Sequence, residues 1–115
     1  MHQRAKEPQD LAKFFIERAN AGDIEGLVAL YETTATLSCG VGNVAIGVEQ
    51  IRKFYTSLLS SRPRFTPGVQ APALRNGDLA LTSSRLGNGD ITAEIARQQA
   101  DGNWLWTVDQ PVIGK

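Results

Sequence analysis

The apolar residues of this chain change their spacing part-way along it, and that change limits the fold more than any other feature. Before residue 64 they recur at helical intervals, and beyond it at about every second position. Ile51, Phe54, Tyr55, Leu58 and Leu59 stand at i, i+3, i+4, i+7 and i+8, one apolar stripe of a helix. Leu11, Phe14 and Phe15 mark an earlier helix, and Ile24, Leu27, Val28 and Tyr31 a second. Helices followed by strands predict an α+β domain, its sheet covered on one face by the helices.

Local signals set the boundaries. Gly22 suits the left-handed residue that closes a helix, and Asp23 can cap the next. Arg62-Pro63 ends the third helix, because the residue before proline avoids helical backbone. The helices are therefore expected at residues 10–21, 24–32 and 48–60. Ala35 to Cys39 alternates as a strand, Gly40 to Asn43 turns, and Val44 to Ile46 returns. Later, Asn76-Gly77-Asp78, Gly87-Asn88-Gly89-Asp90 and Asp101-Gly102-Asn103 supply the positive φ angles of tight hairpins. They divide the second half into four strands, at 65–75, 79–86, 91–99 and 104–110, forming an antiparallel sheet. Strands this long must bend, and Gly68 or Pro72 could hold the bulges.

With 115 residues the chain is one domain, 10–115, preceded by a flexible arm at 1–9. Twelve basic residues balance twelve acidic ones, so no net field gathers nucleic acid or a membrane surface. No apolar run nears the roughly 20 residues of a membrane span. The polar start, MHQRAKEPQD, has no apolar stretch of the signal-peptide kind, and the expected location is cytoplasmic. Cys39 has no second cysteine to pair with and only His2 as a soft co-ligand, so neither a disulfide nor a metal site is expected, and no cofactor is implied.

The string AGDIEGLVALY, the pattern G-x-E-x-I-R-x-F-Y from Gly47 to Tyr55, and the ending EIARQQADGNWLWTVDQP resemble the nuclear transport factor 2-like superfamily, in its ketosteroid isomerase-like and SnoaL-like (polyketide-cyclase-like) branches. The resemblance spans about residues 10–110. It implies a cone: three N-terminal helices on a bent antiparallel sheet, a pocket between helices and sheet, and a homodimer formed through the sheet's outer face. It implies no single reaction. Ketosteroid isomerases carry a tyrosine oxyanion donor where this chain has Phe15, and an aspartate base where it has Cys39. A phenyl ring donates no hydrogen bond, and a thiol titrating near about 8.5 is a poor base at neutral pH. Standard steroid isomerisation is therefore not expected.

Other polar residues could take over the chemistry. If Asp101-Gly102 is a two-residue turn, the ladder sets Glu94 opposite Asp109 and Arg97 opposite Trp106, each pair on its own face. Facing carboxylates repel, and enclosure would raise one pKa, making Glu94 and Asp109 the candidate catalytic pair. They could equally sit on a wet or dimer-facing surface. Phe15, Tyr31, Cys39, Phe54, Leu58 and Trp106 are the candidate substrate-binding residues, and all of them also fit plain core packing. Arg97 and Trp106 fit a surface cation–π pair, and Arg52 a solvent-facing arginine. Two readings stand. One is an acid/base enzyme, an isomerase, cyclase or hydrolase, acting on a small apolar molecule. The other is a non-catalytic ligand-binding or dimerisation module.

Overall fold

The structure is a computed structural model, and it describes residues 2–114. Helices α1 (Asp10–Asn20), α2 (Ile24–Val28) and α3 (Val48–Leu58) lie with strands β1 (Tyr31–Ser38) and β2 (Val44–Ile46) in the first half. A single 3-10 turn, Leu59–Ser61, extends α3. The second half holds β3 (Val69–Gln70), β4 (Leu74–Asn76), β5 (Leu79–Thr82), β6 (Ser84–Arg85), β7 (Ile91–Gln98) and β8 (Trp104–Gly114). The main path across the sheet runs β2-β1-β8-β7-β5-β4, with β3 and β6 paired beside it. No helix among the described residues is long and apolar enough to cross a membrane.

The sheet is mixed, which corrects the expectation of a purely antiparallel one. β1 runs parallel to β8, whereas the other strand pairs are antiparallel. Parallel neighbours need a long crossover. Here the whole chain between β1 and β8, including α3, supplies it. The second helix is also shorter than its apolar stripe suggested. The Leu30 carbonyl accepts from the Trp106 N–H (2.8 Å), so β8 captures the chain and Tyr31 opens β1 instead of closing α2.

The expected strand at 65–75 is broken into β3 and β4 by Pro72, which cannot donate to a ladder. The strand at 79–86 divides at Ser83, whose hydroxyl donates to the Thr92 carbonyl (2.6 Å). Register shifts fall between Ile91 and Ala93 and between Ile95 and Ala96 of the β7–β8 pair, not at Gly68 or Pro72. Gly68 serves a different end. A Cβ there would lie 2.7 Å from the Arg85 carbonyl oxygen, so only glycine allows the chain this close.

Part of residues 2–9, ahead of α1, packs on the domain. Ala5 and Pro8 are buried, the Ala5 N–H donates to the Asn103 side chain (2.9 Å), and the Trp104 N–H donates to the Ala5 carbonyl (2.9 Å). The core collects Leu11 and Phe14 from α1, Leu27 after it, Ala35 and Leu37 from β1, Ile51 and Tyr55 from α3, and Trp104 and Trp106 from β8.

Candidate functional site

One register shift decides which side chains meet inside the sheet. The β7–β8 hairpin closes through Ala100, Asp101 and Gly102, with the Gln99 N–H donating to the Asn103 carbonyl (2.7 Å) and Gly102 at φ +89°. That loop pairs Gln98 with Trp104, Arg97 with Leu105 and Ala96 with Trp106. An extra residue at Thr107 then bulges, and the ladder resumes as Ile95 with Val108 and Glu94 with Asp109. The bulge flips the parity of β8, so Trp104, Trp106 and Asp109 are all buried on the inner side.

Glu94 therefore stands opposite Asp109, as its sequence register implied, and both are buried, at 7% and 8% exposure. Arg97 does not face Trp106. It lies opposite Leu105 on the exposed face and pairs with Glu32 (3.1 Å), because the loop holds three residues instead of two.

The pair sits in a lateral row of inward side chains, Thr82, Glu94, Asp109 and Leu37 on four successive strands. The Thr82 hydroxyl donates to Glu94 (2.7 Å). The Tyr31 hydroxyl donates to Asp109 (2.5 Å) and stands 2.6 Å from the Tyr55 hydroxyl. A tyrosine has one proton to give. With Tyr31 donating to Asp109, Tyr55 must be the donor to Tyr31. The result is a buried line of hydroxyls, Tyr55 to Tyr31 to Asp109, ending on a carboxyl.

Burial sets the electrostatics. Removal from water pushes the Asp109 carboxyl up to about 7, the Tyr31 hydrogen bond opposes the rise, and the Glu94 charge adds to it. Burial also raises Glu94, against hydrogen bonds from Thr92 and Thr82. Tyr31 is driven well above its ordinary range, first by burial and then by the Asp109 charge, and Tyr55 rises for the same two reasons. Burial thus favours the protonated phenol at both positions.

Aromatic rings surround these hydroxyls. Trp106 lies 5.3 Å from Tyr31, and Phe15 lies 6.0 Å from Tyr55 and 6.3 Å from Trp106. Phe65 meets Phe15 edge-on at 5.6 Å, and Phe54 meets Tyr55 at 5.1 Å. The Trp106 indole N–H is buried without a hydrogen-bond partner among the described residues. Cys39 is partly buried. Burial lifts its thiol pKa, and the Asp109 charge adds a smaller push.

Of the substrate-binding candidates, Phe15, Tyr31, Cys39, Phe54 and Trp106 belong to the core or pack against it. Leu58 does not. It is 37% exposed, because Ile51 and Tyr55 form the buried face of α3 and Leu59 in the following turn takes the next inward place. Tyr55 and Thr82 complete the polar cluster but do not stand out in the sequence. Tyr55 sits in an apolar stripe and reads as a core ring, and Thr82 is one hydroxyl among several. Arg52 pairs with Glu25 (2.8 Å) and Glu49 at the surface. Among the described residues no group of three or more His, Cys, Asp and Glu could hold a metal ion. Two clefts, one beside the N-terminal segment and one beside the end of α1, are lined by neither Glu94 nor Asp109.

No protein-family model and no curated protein matches the chain. Solved structures do. The fold resembles a ketosteroid isomerase-like protein from Erwinia carotovora atroseptica at TM-score 0.67 and 18% identity, over 93% of this chain and 94% of that one. An NTF-2 like protein of unknown function from Shewanella oneidensis aligns at 0.69 and 16%, over 90% and 97%. A protein of unknown function with a cystatin-like fold from Nostoc punctiforme aligns at 0.71 and 20%, over 90% and 85%. The chain has the nuclear transport factor 2-like fold, the α+β architecture of the ketosteroid isomerase-like proteins. At these identities the likeness speaks for the fold alone.

Proposed function

We propose that this is a small-molecule-binding protein whose buried carboxyl pair does acid/base work on a small, largely apolar substrate bearing one reactive oxygen. The observation that carries the reading is Asp109: buried, pushed up to about 7, and hydrogen-bonded by Tyr31 with Tyr55 behind it. A general base works best with a pKa near the operating pH. As carboxylate, Asp109 takes a proton from an activated C–H or a water, and Tyr31 steadies the charge. The unpartnered Trp106 N–H is a donor suited to the oxygen on which negative charge develops. Glu94, held by Thr82, keeps a second acid beside the first. Proton abstraction next to a carbonyl, leading to isomerisation or cyclisation, fits this set better than steroid isomerisation by the standard residues, which Phe15 and Cys39 replace.

A test follows α-proton exchange of cyclohexenone in deuterated buffer by NMR. Exchange by the wild type that Asp109→Asn abolishes is the expected result. Equal exchange by both, or none above buffer by either, contradicts the catalytic reading.

A second observation favours self-association. On the outer face Leu74, Leu81, Ile95 and Val108 stand side by side on four neighbouring strands, all exposed. Such a row is an apolar patch that water disfavours. We take its cover to be a second copy of the chain, giving a homodimer with one acid/base cluster per subunit.

A further inference from the structure

A different cavity, sharing no lining residue with the Asp109 cluster, sits between the N-terminal segment, α1 and the start of β8. Its volume is about 150 Å³. Arg18 of α1 lines it and is 8% exposed. The guanidinium donates to two main-chain carbonyls, of Gly26 (2.8 Å) and Gln3 (2.6 Å). No carboxylate lies within ion-pair distance of it among the described residues. Asp23, whose charge reaches it from farther off, is engaged by His2 (2.8 Å) and by the Gly26 N–H (2.9 Å). Arg18 is therefore a nearly buried cation that meets two neutral oxygens and the face of the Phe14 ring, 5.1 Å from its centroid, while the charges of Asp23 and Glu17 reach it only from a distance. Trp104 lines the same cavity. It is fully buried, and its indole N–H has no hydrogen-bond partner among the described residues. An orphaned buried donor is costly, because it has given up water without gaining an acceptor.

A guanidinium with no carboxylate in contact and a tryptophan whose N–H has no acceptor among the described residues line the same cavity, and an anionic oxygen is a partner suited to each. The rest of the lining is mixed: Ala5, Leu11, Leu30 and Leu105 give it an apolar side, and His2, Gln3, Arg4 and Asn103 a polar one. We propose that this cavity binds a short-chain monocarboxylate, its carboxylate between Arg18 and the Trp104 indole N–H and its alkyl tail against these apolar side chains. Residues 2–5 form one wall, so the N-terminal segment straps the ligand in place. The site is independent of the acid/base cluster and stands or falls separately from it.

The experiment uses propionate as probe and propionamide as its uncharged counterpart. The two indole N–H resonances are followed by NMR on the full chain, and Trp104→Phe assigns them. The expected result is a saturable shift of the Trp104 resonance with propionate, none of that size with propionamide, and no matching movement of Trp106. Calorimetry should show propionate bound roughly tenfold more weakly by Trp104→Phe, which keeps an aromatic ring, a smaller one, and deletes the donor, and by Arg18→Gln. Should Arg18→Gln fail to fold, Trp104→Phe alone decides. No saturable shift with propionate, an equal shift with propionamide, or full affinity in Trp104→Phe overturns the proposal.

Discussion

Asp109 is held at the inner face by a bulge at Thr107, and its environment favours the neutral acid at pH below about 7. The direction of its pH dependence follows. An ordinary aspartate titrates near about 3.9, so between there and about 7 the folded protein binds a proton that the unfolded chain has released. Stability contributed by that proton is fully present at low pH, falls as pH rises through this window, and levels off above it. The full span amounts to about 4 kcal/mol. Thermal melts at pH 5 and pH 8 should therefore show the wild type less stable at pH 8. Asp109→Asn, uncharged throughout, should flatten most of that slope and exceed the wild type at pH 8. Tyr31→Phe should act in the opposite sense on Asp109, because the lost hydrogen bond had favoured the carboxylate. Its Asp109 midpoint should rise further, and the unpartnered oxygens should lower stability by about 1–3 kcal/mol in denaturant titrations. The Glu94–Asp109 register was legible from the Asp-Gly turn, since the loop's additional residue and the later bulge cancel at that position. They do not cancel at Arg97, so its expected partner Trp106 was misplaced. Tyr55 was illegible as a polar residue, because helical spacing reports a ring's burial and says nothing of where its hydroxyl points.

At the scale of elements, sequence periodicity located the helices and the hairpin turns but not the pairing of distant strands. Nothing in Tyr31–Ser38 marks it as parallel to Trp104–Gly114, since that pairing joins segments far apart in sequence. The end of α2 was hidden for the same reason: Tyr31 continues the apolar stripe of Ile24, Leu27 and Val28, but its pairing with Trp106 and the Trp106 N–H bond to the Leu30 carbonyl place it in β1. Pro72 and Ser83 broke strands that alternation alone would have continued. Gly68 offers a sharp test of the crowded corner where β3 meets β6. A methyl group there would press on the Arg85 carbonyl, and backbone does not yield as a flexible side chain can. Gly68→Ala should cost about 1–3 kcal/mol in urea unfolding. A loss within a few tenths of the wild type would show that the β3–β6 approach is looser than described.

Taken whole, the molecule encloses its polar cluster and exposes an apolar row on the opposite face of the same sheet. The change from helical to alternating spacing foretold the two layers, and the parity of Leu81, Ile95 and Val108 puts their side chains outward. If a second copy covers that row, light scattering at high concentration should give twice the 12.5 kDa chain mass. Ile95→Glu should return the single-chain mass without loss of helix signal. A wild-type mass of one chain would leave the row to another partner. The enclosed acid is tested most directly by carbon-detected NMR titration of the Asp109 carboxyl in the intact protein. A buried acid/base group requires a midpoint near about 7, shifted upward in Tyr31→Phe. A midpoint near the ordinary value of about 3.9 in both proteins would contradict it.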